Sequence, residues 1–313
     1  MKMKNNLFLL LVILFSCKQD APIPKALPVY KTKNIFIVVM DGARYSETWG
    51  DSKQQNIPRI RQLALQGVIC TEFYNSGQTL TVPGHTAMTT GTYEVLNNSG
   101  FEVPSSHSIF QQYLSQFSKP AQDAWVISSK DKLEVLSECQ EPGWAGKFRP
   151  RTDCGRNGNH TGYRQDSITY VHLFDTISRY HPHLVLVNFQ EPDMSGHANN
   201  WTSYINQVGK IDQYIGNIWD FLQRDSTYAG TTTLFVTNDH GRHLEGVYDG
   251  FVSHWCDCQG CRKIFLLVFG PDFKVNYEET THYSLVDIPA TAAKLLGVDF
   301  NSGEGKAMTT LLK

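Results

Sequence analysis

The sequence predicts an α/β three-layer sandwich, with a mostly parallel central sheet and helices on both faces. Apolar, β-branched runs alternate along the chain with segments of helical period. The first of those runs, Ile35 to Met40, is apolar throughout, as a strand covered on both faces should be. Three of the runs are followed closely by an aspartate, at the sheet edge where proteins of this class assemble their sites.

The elements follow in order. Residues 34–40 open the domain as a strand, Asn-Ile-Phe-Ile-Val-Val-Met. A helical pattern over 56–66 comes next. Pro83 suits the first turn of a further helix, with Thr81 just before it. A helix is expected over 106–117, a strand over 124–128 and a helix over 166–180. Strands are expected over 183–189 and 231–237, separated by a helix over 203–222. A strand over 263–269 and a helix over 284–296 complete the pattern. Residues 137–164, rich in Gly, Pro, Cys and charge, read as a loop or small lobe over one edge. There is no internal repeat.

With 313 residues, 41% hydrophobic and 19% charged, the chain has ordinary globular composition. Its formal net charge of -2 gives no sign of a nucleic-acid surface. Residues 1–33 stand apart. Lys2 and Lys4 precede a nine-residue apolar run, too short to span a bilayer but suited to a signal peptide. The run ends in Leu14-Phe15-Ser16-Cys17, which resembles a bacterial lipobox and implies lipid attachment at Cys17. Residues 18–33, dotted by Pro22, Pro24 and Pro28, read as a tether. The expectation is an exported bacterial lipoprotein, periplasmic or attached to the outer membrane, held there by its lipid anchor only. The catalytic domain then runs from 34 to 313. Six further cysteines, Cys70, Cys139, Cys154, Cys256, Cys258 and Cys261, permit disulfides in an exported chain. Cys139 with Cys154, and a bridge inside or from the 256–261 cluster, are the expected ones.

The chemistry lies in three stretches. Asp41 follows the first strand. Asp193 and His197 follow the strand over 183–189, four residues apart and so on one side of a helical turn. Asp239 and His240 follow the strand over 231–237, with Gly241 to sharpen the turn. Three carboxylates at one sheet edge would repel each other unless cations lay between them. Asp and His donors without thiolate suit Zn²⁺, with Mn²⁺ possible. Thr81, beside the positive end of a helix, has a hydroxyl placed to meet an anion.

Asp41, Thr81-x-Pro83-x-His85 with Thr90-Gly91-x-Tyr93, Glu191-Pro192-Asp193-x-x-Gly196-His197 and Asp239-His240-Gly241 together resemble the alkaline phosphatase superfamily. That superfamily includes nucleotide pyrophosphatase/phosphodiesterases and cofactor-independent phosphoglycerate mutases. The resemblance covers most of residues 34–298. It implies one metal held by Asp41, Thr81, Asp239 and His240, and a second held by Asp193, His197 and one more histidine. His254 is the expected last ligand; His282 and His243 are rivals. The implied reaction is in-line attack of Thr81 on phosphorus, a covalent phospho-threonine, then hydrolysis. The implied partner is a small anionic phosphate ester, with Arg44, Asn97 and Asn98 as candidate contacts to it. Sulfatases share the fold but require a cysteine or serine where Thr81 stands. A phosphomutase and a non-catalytic binding module with structural metals are the other readings.

Overall fold

The computed structural model describes residues 29–313. Cys17 and most of the expected tether lie outside the described residues. Among the described residues no helix is long and apolar enough to cross a membrane.

Among the described residues nine strands form one sheet: β1 (Asn34–Met40), β2 (Val68–Tyr74), β3 (Ala124–Ser128), β4 (Arg151–Cys154), β5 (Leu184–Phe189), β6 (Thr232–Thr237), β7 (Lys263–Phe269), β8 (Tyr277–Glu279) and β9 (Tyr283–Ser284). Eight α-helices accompany them in the same residues: α1 (Pro58–Ala64), α2 (Thr81–Thr90), α3 (Ile109–Gln116), α4 (Asp166–Tyr180), α5 (Asp193–His197), α6 (Trp201–Leu222), α7 (Gln259–Arg262) and α8 (Asp287–Leu296). The sheet order is β4-β3-β5-β1-β6-β7-β2-β8, with β9 also on β2. Most pairs are parallel; β7 runs antiparallel to both β6 and β2.

Strand β1 shows why the layers form. Every residue of it is buried. Ile35, Ile37 and Val39 enter one apolar cluster with residues of α2, α3 and α8. Phe36, Val38 and Met40 enter another with residues of α1, α4 and α6. Alternation in a strand sends neighbours to opposite faces, so a run apolar at every position requires a helical layer on each side.

Two expected boundaries change. Residues 31–33 belong to the domain: the backbone N–H groups of Lys31 and Thr32 donate to the Asp272 carboxylate at 2.9 and 2.8 Å, and Lys33 N–H donates to the Thr231 carbonyl at 2.8 Å. The segment read as a lobe contributes β4, an edge strand parallel to β3. The expected disulfides are absent among the described residues, where all six cysteines carry free thiols. Cys154 points its sulfur into the sheet, 3.6 Å from the Val126 carbonyl. Cys256 and Cys261 hold their sulfurs 3.8 Å apart, far beyond an S–S bond of about 2.05 Å.

Candidate metal centre

Strands β3, β5, β1 and β6 are adjacent and parallel, so their carboxyl ends share one edge. Asp41 leaves β1 there, Asp193 and His197 stand on α5 just past β5, and Asp239 and His240 leave β6. Gly42 makes the convergence possible. It adopts φ +67, and a Cβ on it would lie 2.7 Å from Asp193 Oδ1; its N–H donates to Asp239 Oδ1 at 3.1 Å. Asn238 ties the end of β6 to β1 through the Met40 carbonyl at 3.0 Å.

The side chains gather in two groups, each with its donor atoms within 4.8 Å of one another: Asp41, Asp239 and His240, and Asp193, His197 and His254. The first group is sealed, with all three residues at 0% exposure. His240 Nε2 lies 3.3 Å from Asp239 Oδ2 and 3.8 Å from Asp41 Oδ1. Neither His240 Nε2 nor Asp239 Oδ2 has a hydrogen-bond partner among the described residues. In the second group the Nε2 atoms of His197 and His254 face each other at 3.1 Å, each 3.4 Å from Asp193 Oδ1. His197 is exposed, so this group opens to solvent.

These residues fit a pair of divalent cations. His240 Nδ1 lies 2.9 Å from the Gly241 carbonyl and His254 Nδ1 lies 2.7 Å from the Thr79 carbonyl. A carbonyl can only accept, so each Nδ1 carries the proton and each Nε2 keeps its lone pair for a metal. The titration behaviour agrees. Burial and the nearby Asp41 push Asp239 well above the usual carboxylate range. Burial and the neighbouring His254 hold His240 well below the usual imidazole value. Orphaned, buried donors of this type are relieved by a bound cation.

Thr81 opens α2. Every residue of that helix is buried, and Thr89 and Thr90 donate their hydroxyls to the carbonyls of His85 and Thr86. Pro83 stands in the first turn, where an N–H would lack an intrahelical partner. Asn98 Oδ1 accepts from the Val82 N–H at 2.9 Å, which sets that side chain against the helix start beside Thr81. His85 is fully buried, with Nδ1 2.8 Å from the Thr81 carbonyl. Burial lowers its pKa to about 4, so it is neutral scaffolding.

Two cations of the chain itself were not expected from sequence. Lys130 follows β3 and is 1% exposed. Its ammonium donates to Asp193 Oδ2 at 2.6 Å, Asp41 Oδ1 at 2.8 Å and Thr81 Oγ1 at 3.0 Å. Burial lowers its pKa, but Asp193 and Asp41 outweigh this and the net shift is upward. Arg242, fully buried, pairs with Asp193 and donates to the carbonyls of Phe251 and Val252. Gly196 makes room for it: a Cβ there would meet the guanidinium carbon at 2.5 Å. The signal for Lys130 was present, since it leaves the carboxyl end of an apolar strand as the three aspartates do.

Two expected substrate contacts and one rival ligand fall elsewhere. Arg44 turns away from the centre, and its guanidinium is taken up by Glu47, Glu245 and the His243 carbonyl. The left-handed turn at Gly42 redirects the chain, so closeness to Asp41 in sequence is lost in space. Asn97 is exposed and caps a local turn, accepting from Ser99 N–H. His282 stacks on Tyr74 at 4.8 Å, exposed on the other side of β2 from the centre's strands, while His254 joins Asp193 and His197.

Known proteins place this arrangement in context. Over 242 residues the chain is 22% identical to mouse ectonucleotide pyrophosphatase/phosphodiesterase family member 1, covering 70% of this chain and 25% of that protein. Over 115 residues it is 39% identical to 2,3-bisphosphoglycerate-independent phosphoglycerate mutase of Gracilaria tenuistipitata var. liui, covering 37% of this chain and 21% of the relative. The chain thus spans a quarter or less of the length of both. The fold matches the crystal structure of a protein in the alkaline phosphatase superfamily from Vibrio parahaemolyticus. The TM-score is 0.66 at 16% identity, covering 92% of this chain and 71% of that one. The family model of the metalloenzyme superfamily matches residues 33–300, and to that superfamily, with an alkaline phosphatase-like fold, the chain belongs.

Proposed function

We propose that the protein is a two-metal hydrolase of phosphate esters whose nucleophile is Thr81. One observation carries the reading: a single nitrogen, Lys130 Nζ, contacts Thr81 Oγ1 together with a carboxylate from each ligand group. That shared contact supports a hydroxyl close to both candidate metal positions. Asp41, Thr81, Asp239 and His240 would hold one cation, and Asp193, His197 and His254 the other. Zn²⁺, with Mn²⁺ as alternative, would supply the positive charge that acidifies a hydroxyl and offsets that of a phosphate.

The chain's own residues prepare the rest. Lys130, held protonated by the aspartates, donates to Thr81 Oγ1 and so favours its alkoxide; it cannot take the proton itself. The first turn of α2 adds the positive end of its dipole at the same oxygen. Attack of the Thr81 oxygen on phosphorus breaks the ester P–O bond and gives a phospho-threonine; the alcohol departs, taking up a proton from solvent, and water then cleaves the Thr81–phosphorus bond, releasing the phosphate and restoring the hydroxyl. Asn98 uses its oxygen on Val82, leaving its amide nitrogen to donate to a substrate oxygen. Lys130 and Arg242 tilt the local charge toward positive, which favours a small anionic phosphate ester.

The sulfatase alternative requires a cysteine or serine at position 81. A phosphomutase is favoured by the local similarity to phosphoglycerate mutase, and it differs only in the final acceptor. Rates on p-nitrophenyl phosphate, bis(p-nitrophenyl) phosphate and p-nitrophenyl sulfate test the reading. One phosphate ester should be cleaved fastest, and Thr81→Ala should lose at least about 10³-fold in kcat, as removal of a covalent nucleophile does. Full activity in Thr81→Ala would overturn it.

A further inference from the structure

We propose a third, structural zinc site, formed by Cys256, Cys258, Cys261 and His243 and separate from the Asp/His centre. A ring nitrogen of His243 and the sulfurs of Cys256 and Cys261 lie within 4.8 Å of one another. His243 is 0% exposed. Its Nδ1 lies 3.0 Å from Asp249 Oδ1, and Ser253 Oγ donates to that same carboxylate at 2.6 and 2.7 Å. A carboxylate at Nδ1 makes that nitrogen the donor and leaves a lone pair on Nε2. This Nε2 is buried and has no hydrogen-bond partner among the described residues. Carboxylate, imidazole and vacant lone pair in line is the arrangement that orients histidines toward zinc.

The sulfur geometry agrees. Two thiolates on one tetrahedral zinc, each about 2.3 Å from it, stand roughly 3.8 Å apart; Cys256 and Cys261 hold their sulfurs at 3.8 Å. Cys258 completes a Cys-x-Cys-x-x-Cys run. Its N–H donates to Cys256 Sγ at 3.3 Å, which holds this cysteine beside the other two. A disulfide between two of these cysteines would leave the third thiol and the His243 Nε2 unexplained. On binding, each thiol releases its proton to solvent and no oxidation state changes. Three thiolates and a neutral imidazole then surround a dication.

The position gives the site a purpose. His240 and His254, one from each ligand group of the main centre, lie on the loop this site would close. Gly241 N–H donates to the Cys261 carbonyl at 2.8 Å, and His243 N–H to that of Ser253 at 3.0 Å. A zinc among these residues clamps the loop that delivers both histidines.

The test uses the full chain purified without reductant and loaded with Zn²⁺ alone or Co²⁺ alone. We expect the wild type to retain one more equivalent of metal than Cys258→Ser or His243→Gln. The Co²⁺ form should show thiolate-to-cobalt charge-transfer absorption that those variants lose. Cys256, Cys258 and Cys261 should resist alkylation until a chelator is added. The cobalt spectrum and the alkylation are read on the wild type, so they decide the matter even if a variant does not fold. A disulfide among the three cysteines by mass spectrometry, free alkylation in the zinc-loaded protein, or equal metal content in folded variants would each overturn the proposal.

Discussion

Lys130→Met removes the buried cation that two aspartates and Thr81 share, and its effect depends on whether metal is present. In metal-free protein the ammonium pairs with Asp41 and Asp193 at 2.8 and 2.6 Å, and Asp193 keeps Arg242 as a second partner. Both carboxylates are buried, as is Asp239, whose Oδ2 has no hydrogen-bond partner among the described residues. Methionine fills much the same volume, so little packing changes. Removing one partner of a buried ion pair costs about 3–5 kcal/mol, because the other charge stays behind without compensation. Metal-free Lys130→Met should therefore unfold at lower denaturant by roughly that amount. With metal bound, the carboxylates have other cations, and most of the deficit should vanish. Metal affinity in the variant should rise, since the cations no longer meet a competing ammonium. Activity should nonetheless fall by about 10²–10³, the usual effect of losing one donor aimed at developing negative charge. Urea titrations of both proteins, with chelator and with Zn²⁺, read the first effect, and phosphate-ester hydrolysis reads the last. Equal destabilisation with and without metal would refute the view that Lys130 and metals serve the same carboxylates.

The remaining predictions concern residues around the centre. Asn98→Ala removes the acceptor for Val82 N–H and should cost about 1 kcal/mol, as lost caps do; its larger effect should be a raised KM for phosphate esters, since the amide proposed to contact substrate goes too. Lys132 is 7% exposed, and burial with the neighbouring Lys130 charge lowers its pKa to about 8. The folded protein then releases this proton near pH 8 while the unfolded chain holds it to about 10.5. Across that window the unfolded state binds more protons, so rising pH favours folding, by an amount on the order of 3 kcal/mol for this group. Wild type minus Lys132→Met, followed by urea unfolding from pH 7.5 to 10, isolates the effect from the tyrosines that titrate nearby; a flat difference would contradict it.

The parts of the fold legible in sequence are those whose signal is local. Strands β1, β3 and β7 and helix α4 match their expected limits because each is bounded by an abrupt change in apolar content. Strand β4, Arg-Thr-Asp-Cys at the sheet edge, carries no such signal. Strand β2 lies in a mixed sequence and takes its place from the reversed pairing with β7, which depends on partners far away in the chain. The candidate site follows the same division. Aspartates and histidines past strand ends could be read because one rule, ligands at carboxyl ends, locates them. Lys130 obeys that rule as well, but a lysine suggests a solvated surface until its partners are known. Arg44 misled because Gly42, at φ +67, turns the chain between it and Asp41. The cysteines misled because an expected export favours oxidation, whereas their sulfurs stand as free thiols beside a His243 nitrogen that is visible only in three dimensions.

The account rests on two divalent cations sharing one pocket with Thr81. Anomalous diffraction from crystals grown with Zn²⁺, recorded on both sides of the zinc edge, tests this directly. The account predicts one peak among Asp41, Asp239 and His240 and another among Asp193, His197 and His254, with Thr81 Oγ1 between them. Absence of either peak, or Thr81 facing away from both, would contradict it.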